Sequence, residues 1–559
     1  MPTLHWVGKN KVVNHHHDVP FRLLDKQYSF TANDGTPANS INNRIIHGDN
    51  LEALKSLLPE FEGKVNCIYI DPPYNTGNEG WVYNDAVNDP KIKKWLGQVV
   101  GKEGEDLSRH DKWLCMMYPR LKLLHRLLAD DGVMFVSIDD NEQANLKLLM
   151  DEVFGSTKML ANFIWRTDGN FDNQAKIKIS HEYVLCYCKK PDEFEHPPVI
   201  DPSIKEGSKL FRPVIKNTIV KNGPKNPISK ITLPAGFPAD FIEGVIEARD
   251  HMWPRIQGQC KVIDSKLIED VVFESGWSSL SLLKEFIKSD FQPILDTKGQ
   301  RTTFVVTQSG AIESIKKRDK PSHVISTLSS LGSTQSMSAQ LAEISIAFDY
   351  PKPNDFVGYL ISMLGDNCDI VLDSFAGSGT TAHAVLKLNA QDGGKRRFIL
   401  CEMMDYAESI TAERVRHVMN GYGYGKRAVA ATGGAFSFYK VGSALFNEDK
   451  NLNEEVGESA IRNYVAYTES IQGTHQFSKK NPVSPYALGA TETALWIFYY
   501  EKDRVTTLDI DFLGQLKIKN LPSRPEQFVI YADKCALDKD FLYKHGITFK
   551  RIPRDITRF

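Results

Sequence analysis

A doubly wound α/β fold built on a mostly parallel sheet is predicted by three features of this 559-residue chain. Short runs that are apolar at nearly every position recur along it, as strands buried on both faces do. Segments with apolar residues at helical spacing lie between them, which layers helices over the sheet. Several runs end in an acid, and ligands in such sheets bind at the carboxyl ends of the strands.

The elements follow in order. "VNCIYI" (65–70) ends at Asp71, and "GVMFVSI" (132–138) ends at Asp139 and Asp140. "CDIVL" (368–372) ends at Asp373, and "KRRFILC" (395–401) ends at Glu402. "DKWLCMMYPRLKLLHRLLADDG" (111–132) has helical spacing, and "GTTAHAVLKLN" (379–389) opens a helix directly after a glycine turn. Between about 196 and 340 the alternation fades into Pro, Lys, Ser and Gly, and "STLSSLGSTQSMSAQ" (326–340) reads as a linker. The pattern then resumes, so two blocks of sequence build one sheet around an insert. The expected organisation is an arm at 1–44, one domain split into 45–195 and 341–442, an insert at 196–340, and a small α/β C-terminal domain at 443–559.

Composition is that of a globular chain, 42% hydrophobic and 25% charged. No apolar run approaches the roughly 20 residues of a membrane span, and the first 20 residues lack the apolar core of a signal peptide. The eight cysteines form no CxxC pair, and Cys186 and Cys188 lie in a strand-like run, so buried thiols and a cytoplasmic location are expected. A net charge of −2 excludes a uniformly basic nucleic-acid binder but not a local patch. Residues 203–230 supply one: Lys205, Lys209, Arg212, Lys216, Lys221, Lys225 and Lys230 against the single acid Glu206. This run is read as a phosphate-contacting surface, with an ordinary exposed face as the alternative.

"DSFAGSGTT" (373–381) joins a strand to a helix. Gly377 and Gly379 allow a tight turn and close approach of the backbone to a ligand. Glu402 ends the next strand, 29 positions on, where an acid commonly binds ribose hydroxyls. The loop lacks both the six-residue dinucleotide spacing and a P-loop lysine. A nucleoside without a pyrophosphate fits, and S-adenosylmethionine is such a ligand, with Asp373 near its ammonium end. A purely structural turn is the alternative.

In "DPPY" (71–74), Asp71 can accept from an amine and the Pro72 carbonyl can accept again. Pro73 restricts the backbone so that both acceptors stay aimed, and Tyr74 offers a face for stacking. Such a receptacle suits a planar ring with an exocyclic NH2. Two acceptors raise electron density on that nitrogen, so positioning and electrostatics can carry its methylation.

"DPPYNTGN" and "FAGSGTT" together resemble the DNA amino-methyltransferases. The catalytic motif precedes the cofactor motif by about 300 residues, which is similar to the permuted beta group. The resemblance implies a Rossmann-like sheet with a target-recognition domain inserted. It also implies that Asp49, in "IIHGDNLEALKSLLPE", approaches the cofactor's adenine. Lys352 and Pro353, in "FDYPKP", would line its methionine end, and Phe375, Ala376, Ser378 and Thr380 would complete the cofactor loop. The chain looks most like the modification (Mod) subunits of Type III restriction systems or their solitary relatives. That implies N6-adenine methylation of double-stranded DNA after base flipping, a homodimer, and an ATP-dependent restriction (Res) subunit as a possible partner. Cytosine-N4 methylation and a silent specificity subunit are the alternatives. No Pro-Cys dipeptide is present, so carbon-5 methylation through a cysteine is not expected.

Other clusters have blander readings. His15, His16 and His17 read as a surface run rather than metal ligands. Asp139, Asp140 and Glu142 read as a solvated strand end, and no metal is expected. The C-terminal domain (443–559), which contains the apolar–aromatic run "ALWIFYY" (494–500), is assigned to dimer or partner contacts, against the alternative of a domain that only stabilises its own chain.

Overall fold

The computed structural model describes all residues except 1–2, 34–35, 37–39, 77–93, 95–96, 100–107, 168–175, 206, 298, 318–321, 424–427, 472 and 555–559, and the side chain of Lys209. The chain forms two compact units, one of residues 1–195 with 326–559 and one of residues 196–325.

The larger unit is built on a ten-stranded sheet. Its strands in chain order are β1 (Arg22–Thr31), β2 (Asn43–His47), β3 (Val65–Ile70), β4 (Leu128–Ile138), β5 (Met159–Arg166), β6 (His181–Cys188), β7 (Thr327–Leu328), β8 (Ile370–Asp373), β9 (Arg397–Glu402) and β10 (Ala435–Ala444). Across the sheet they lie in the order β1-β10-β2-β9-β8-β3-β4-β6-β5-β7. The run from β10 to β4 is parallel throughout. β1 and β6 run antiparallel to their neighbours.

The two sequence blocks meet where β3 pairs with β8, Cys67 beside Val371 and Ile68 beside Leu372. From this seam the chain winds to opposite sides, β3 to β4 and β8 to β9. The seam is therefore the topological switch point, where a doubly wound sheet opens a crevice. Asp71 and Asp373 stand together at its carboxyl edge.

Helices α1 (Asn50–Phe61) and α2 (Arg109–Leu127) pack on this sheet. Ser108 and Asp111 form a capping box that starts α2, and Trp113, Met117, Leu121 and Leu124 bury its apolar face. Among the described residues no helix is long and apolar enough to cross a membrane.

Two expectations need correction, one for the insert and one for the N-terminal arm. The insert ends at residue 325 rather than 340. Within 326–340 lies β7, and Ser333 caps the helix α3 (Thr334–Glu343), which buries Met337 and Leu341. Serines that suggest a linker by composition act here as helix caps. Residues 22–31 of the N-terminal arm are the edge strand β1, and His16 is buried, its pKa lowered by burial to about 4. "ALWIFYY" is the inner strand β12 (Ala494–Phe498) of a four-stranded sheet with β11 (Ala487–Ala490), β13 (Gln527–Ala532) and β14 (Ile547–Arg551). Leu495, Ile497 and Phe498 are buried there, so this strand is consumed by its own core. The C-terminal segment packs beside α1 and the start of β1: Tyr467 Oη donates to Glu62 at 2.7 Å, and Phe21 meets Tyr464 edge to face at 4.9 Å.

The insert has three small antiparallel sheets and its own core around Phe237, Phe273, Phe286 and Phe304. Its two ends are bonded to each other, His323 N–H to Val199 O and Asp201 N–H to His323 O, each at 2.8 Å.

Candidate active site

The "DPPY" turn leaves β3 and is held from three sides. The Trp113 indole donates to Pro73 O at 2.7 Å. Tyr74 Oη donates to Glu182 of β6 at 2.8 Å. Asn75, in the left-handed region at φ 59°, donates to the fully buried Glu142. Asparagine tolerates that backbone conformation better than most residues. Glu142 also accepts from Asn145 at 2.8 Å and lies 2.7 Å from the His110 ring. Glu142 is thus a buried clamp, not part of a solvated strand end. Asp140 accepts from Tyr183 and Asp139 from Asn141.

Two acceptors of the turn stay open. Asp71 Oδ1 is buried without a hydrogen-bond partner. Among the described residues no donor engages the Pro72 carbonyl, whereas its neighbour Pro73 O is taken by Trp113. The other Asp71 oxygen, Oδ2, lies 2.9 Å from Lys352 Nζ.

Lys352, expected at the methionine end of the cofactor, lines the cleft beside the glycine turn, and its ammonium is engaged there. It bridges Asp71 and Glu182, 3.3 Å from the latter, and sits 4.8 Å above the Tyr74 ring. Burial alone would lower its pKa, but the charges of Asp71 and Glu182 outweigh that and raise it above the usual lysine value. The Tyr74 ring itself is buried, and its phenol stays protonated because burial and the nearby Asp71 and Glu182 raise its pKa.

Across the seam, the glycine turn joins β8 to α4 (Thr380–Asp392). Gly377 and Gly379 have φ of 52° and 83°, and a Cβ at Gly379 would meet Thr411 O at 3.2 Å. Both positions therefore favour glycine. Asp373 organises the turn, accepting from Phe375 N–H at 3.0 Å and Thr381 Oγ1 at 2.6 Å. Burial pushes its carboxyl up to about 7 despite those bonds, and Asp71 and Glu402 add to the rise. Among the described residues no cation pairs with it. Glu402 accepts from Gly377 N–H at 2.8 Å and Met404 N–H at 2.9 Å, so it braces the turn.

Arg414, buried on α5 (Glu413–Asn420), donates to Ser378 Oγ at 2.7 Å and Thr380 Oγ1 at 2.9 Å. Thr380 in turn donates to Lys352 O at 3.1 Å. This chain of bonds ties the glycine turn to the "YPKP" segment.

A cleft lined by Asp71, Lys352, Asp373, Phe375, Ala376, Ser378 and Thr380 results, with Tyr69, Phe348, Tyr350 and Pro351. Pro353 stands just outside, at the N-cap of the next helix. Asp49 does not line this cleft. It ends the β2 edge and caps α1, accepting from Leu51 N–H at 2.8 Å. In the insert, Lys205, Arg212, Lys216, Lys221, Lys225 and Lys230 are all exposed, and the side chain of Lys209 falls outside the described residues. Lys216 and Lys230 lie on different sheets, so the run does not form one element.

Glu182, Trp113 and Arg414 were not singled out by the sequence, and Glu142 was read there only as part of a solvated strand end. A lone carboxylate early in the apolar run "HEYVLCYC" was the one available sign of Glu182. The others carry no local mark.

Comparison with known proteins shows the family of the chain. The family described as DNA methylase matches residues 65–413, and the chain belongs to that family. It is 33% identical over 386 residues to the Type III restriction-modification enzyme StyLTI Mod subunit of Salmonella typhimurium, covering 64% of this chain and 52% of that one. With the EcoPI Mod subunit of Escherichia phage P1 identity is 31%, over 76% of this chain and 66% of the relative. With the EcoP15I Mod subunit of Escherichia coli it is 29%, over 75% and 67%. The chain thus spans between about half and two thirds of the length of these relatives. Among solved structures, PvuII DNA methyltransferase (cytosine-N4-specific) aligns at 14% identity and TM-score 0.30, over 68% of this chain and 90% of that one. An M1.HpyAVI–SAM complex aligns at 13% and 0.28, over 67% and 99%.

Proposed function

We propose that the chain methylates the N6 amine of adenine in a short duplex DNA site, using S-adenosyl-L-methionine, as the modification subunit of a restriction-modification system. The observation that carries this reading is the pair of open acceptors, Asp71 Oδ1 and the Pro72 carbonyl, beside the glycine turn at the switch point. Family membership and the Type III names of the relatives support it.

The residues present fit the cofactor. Asp373 is a buried acid with no described cation beside it, which suits a cationic ligand. Phe375, Ala376, Ser378 and Thr380 would line its binding cleft, with Lys352 and Pro353 at one end. Asp49, Gly377, Gly379 and Glu402 would frame it along the neighbouring strand ends. When bound, S-adenosylmethionine supplies a methyl group on a sulfonium sulfur. Asp71 and Pro72 would accept hydrogen bonds from the two amine N–H groups, favour a pyramidal nitrogen whose lone pair is withdrawn from the ring's π system, and offset the positive charge that grows there. Pro73 and Trp113 keep those acceptors from turning away.

The amine is paired within a duplex, so the base leaves the stack to reach Asp71. Tyr74 then stacks against it once Lys352 has moved off the ring. Aspartate at the head of the motif favours adenine over cytosine. The insert reads the site, its exposed lysines and arginine holding phosphates. Such an enzyme acts in the cytoplasm, as a dimer in which one copy reads and the other methylates, and with an ATP-dependent nuclease partner in a Type III setting.

Transfer of tritium from labelled S-adenosylmethionine to unmethylated DNA, with the modified bases mapped by single-molecule sequencing, tests this. N6-methyladenine at one short motif is expected. N4-methylcytosine, or binding without transfer, defeats it.

A further inference from the structure

Lys352 Nζ stands on the same carboxylate that is proposed to receive the target amine through its open oxygen Oδ1. It donates to Asp71 Oδ2 at 2.9 Å and covers the Tyr74 ring at 4.8 Å from its centre. An ammonium kept there would draw charge from the acceptor and oppose the positive charge that grows on the amine nitrogen. It cannot simply be left alone either, because the side chain is 7% exposed and an unpaired buried charge is costly. A second carboxylate is already in reach. Glu182 Oε2 lies 3.3 Å from the same Nζ, and the same oxygen accepts the Tyr74 hydroxyl at 2.8 Å. Asp373 also lines the cleft, but its oxygens are engaged by Phe375 N–H and Thr381 Oγ1.

We propose that Glu182 is a positioning residue for methyl transfer, holding Tyr74 by its hydroxyl and drawing the Lys352 ammonium off Asp71 Oδ2 when Oδ1 engages the target amine; this rests on the reading given above. Glu182 touches neither the base nor the methyl donor. It acts through Lys352 and Tyr74. Only a short side-chain rotation separates the two states, because the lysine is shared between both acids from the start. Loss of Glu182 leaves Asp71 as the lysine's sole acid and frees the Tyr74 ring to turn.

Four full-length proteins test this: wild type, Glu182→Gln, Lys352→Met and the double variant. Tritiated methyl transfer to amplified, unmethylated genomic DNA gives kcat and KM for S-adenosylmethionine, and anisotropy of a fluorescein-labelled duplex gives DNA affinity. Glu182→Gln should lower kcat about tenfold or more, with KM and DNA affinity held within about twofold. The double variant should be no slower than Glu182→Gln alone, because no lysine remains to compete for Asp71. Should Glu182→Gln fold poorly, Glu182→Asp carries the same test. A Glu182→Gln enzyme with wild-type kcat, an equal loss of DNA affinity, or losses that multiply in the double variant overturn the inference. A wild-type protein that transfers no methyl overturns the functional reading and this inference with it; an active wild type with an unaffected Glu182→Gln overturns this inference alone.

Discussion

The Trp113 indole donates to the Pro73 carbonyl at 2.7 Å and leaves the adjoining Pro72 carbonyl open. One bond thus separates the acceptor that holds the turn from the acceptor offered to a substrate. Trp113→Phe keeps the ring but removes the donor. The buried Pro73 oxygen then loses its partner, at a cost of about 1–3 kcal/mol in folding stability. Methyl transfer should fall about tenfold as the turn loosens. Chemical denaturation and initial rates measure the two effects; unchanged values for both would deny the bond any role.

Asp71→Ala removes the open oxygen Oδ1 and one of the two acids that hold Lys352. Methylation should be abolished. DNA affinity should change little, because the exposed cations of the insert are untouched. Filter binding beside tritium transfer separates the two, and a variant that still methylates near the wild-type rate would show that Asp71 is not the acceptor.

Asp373 makes stability depend on pH. Burial raises its carboxyl from the ordinary 3.8 to about 7. The native state therefore keeps a proton that the unfolded chain releases, and this contribution is lost as pH rises through about 7. The fall begins at about pH 4, is complete by about pH 7 and is on the order of 4 kcal/mol at most, about 2 kcal/mol of it above about pH 5.5. Asp373→Asn cannot ionise and should flatten it, and saturating S-adenosylmethionine should reduce it by supplying a cation. Urea unfolding at about pH 5.5 and about pH 8 reads the difference. Equal slopes for wild type and Asp373→Asn would mean that some other group sets the pH dependence.

Lys216 and Lys221 are exposed, in and just beyond the strand Val214–Thr218. Replacing both by Ala should weaken binding to all duplexes alike. The slope of log affinity against log salt should flatten by about one unit per lost phosphate contact. A changed base preference would instead place these side chains at base edges.

Much of the framework was legible because it depends on local pattern. The strands ending at Asp71, Asp373 and Glu402 are short apolar runs, and sheet burial on both faces leaves little else they could be. The glycine turn shows itself through two residues that the backbone requires at positive φ. What stayed hidden depends on residues that meet only in three dimensions. Glu182 lies 108 positions from Tyr74, and Lys352 lies 281 from Asp71. Motif likeness put Lys352 at the cleft; the pull of two half-buried acids, distant in sequence, decides where its flexible side chain ends. The stretch 326–340 misled for a different reason. Its serines lower the apolar content, yet Met337 and Leu341 are spaced to share one helix face.

The bonds joining Val199 and Asp201 to His323 have a consequence for how such a protein changes over time. They bring the entry and exit of the insert to one point, so everything between them hangs from a closed stem. A different sequence of any moderate length can occupy that position at little extra loop-closure entropy, since the cost grows only with the logarithm of length. The sheet that holds Asp71 and Asp373 need not be refitted. Recombination at the two ends of the stem can exchange the segment as a cassette while the strands on either side continue unaltered.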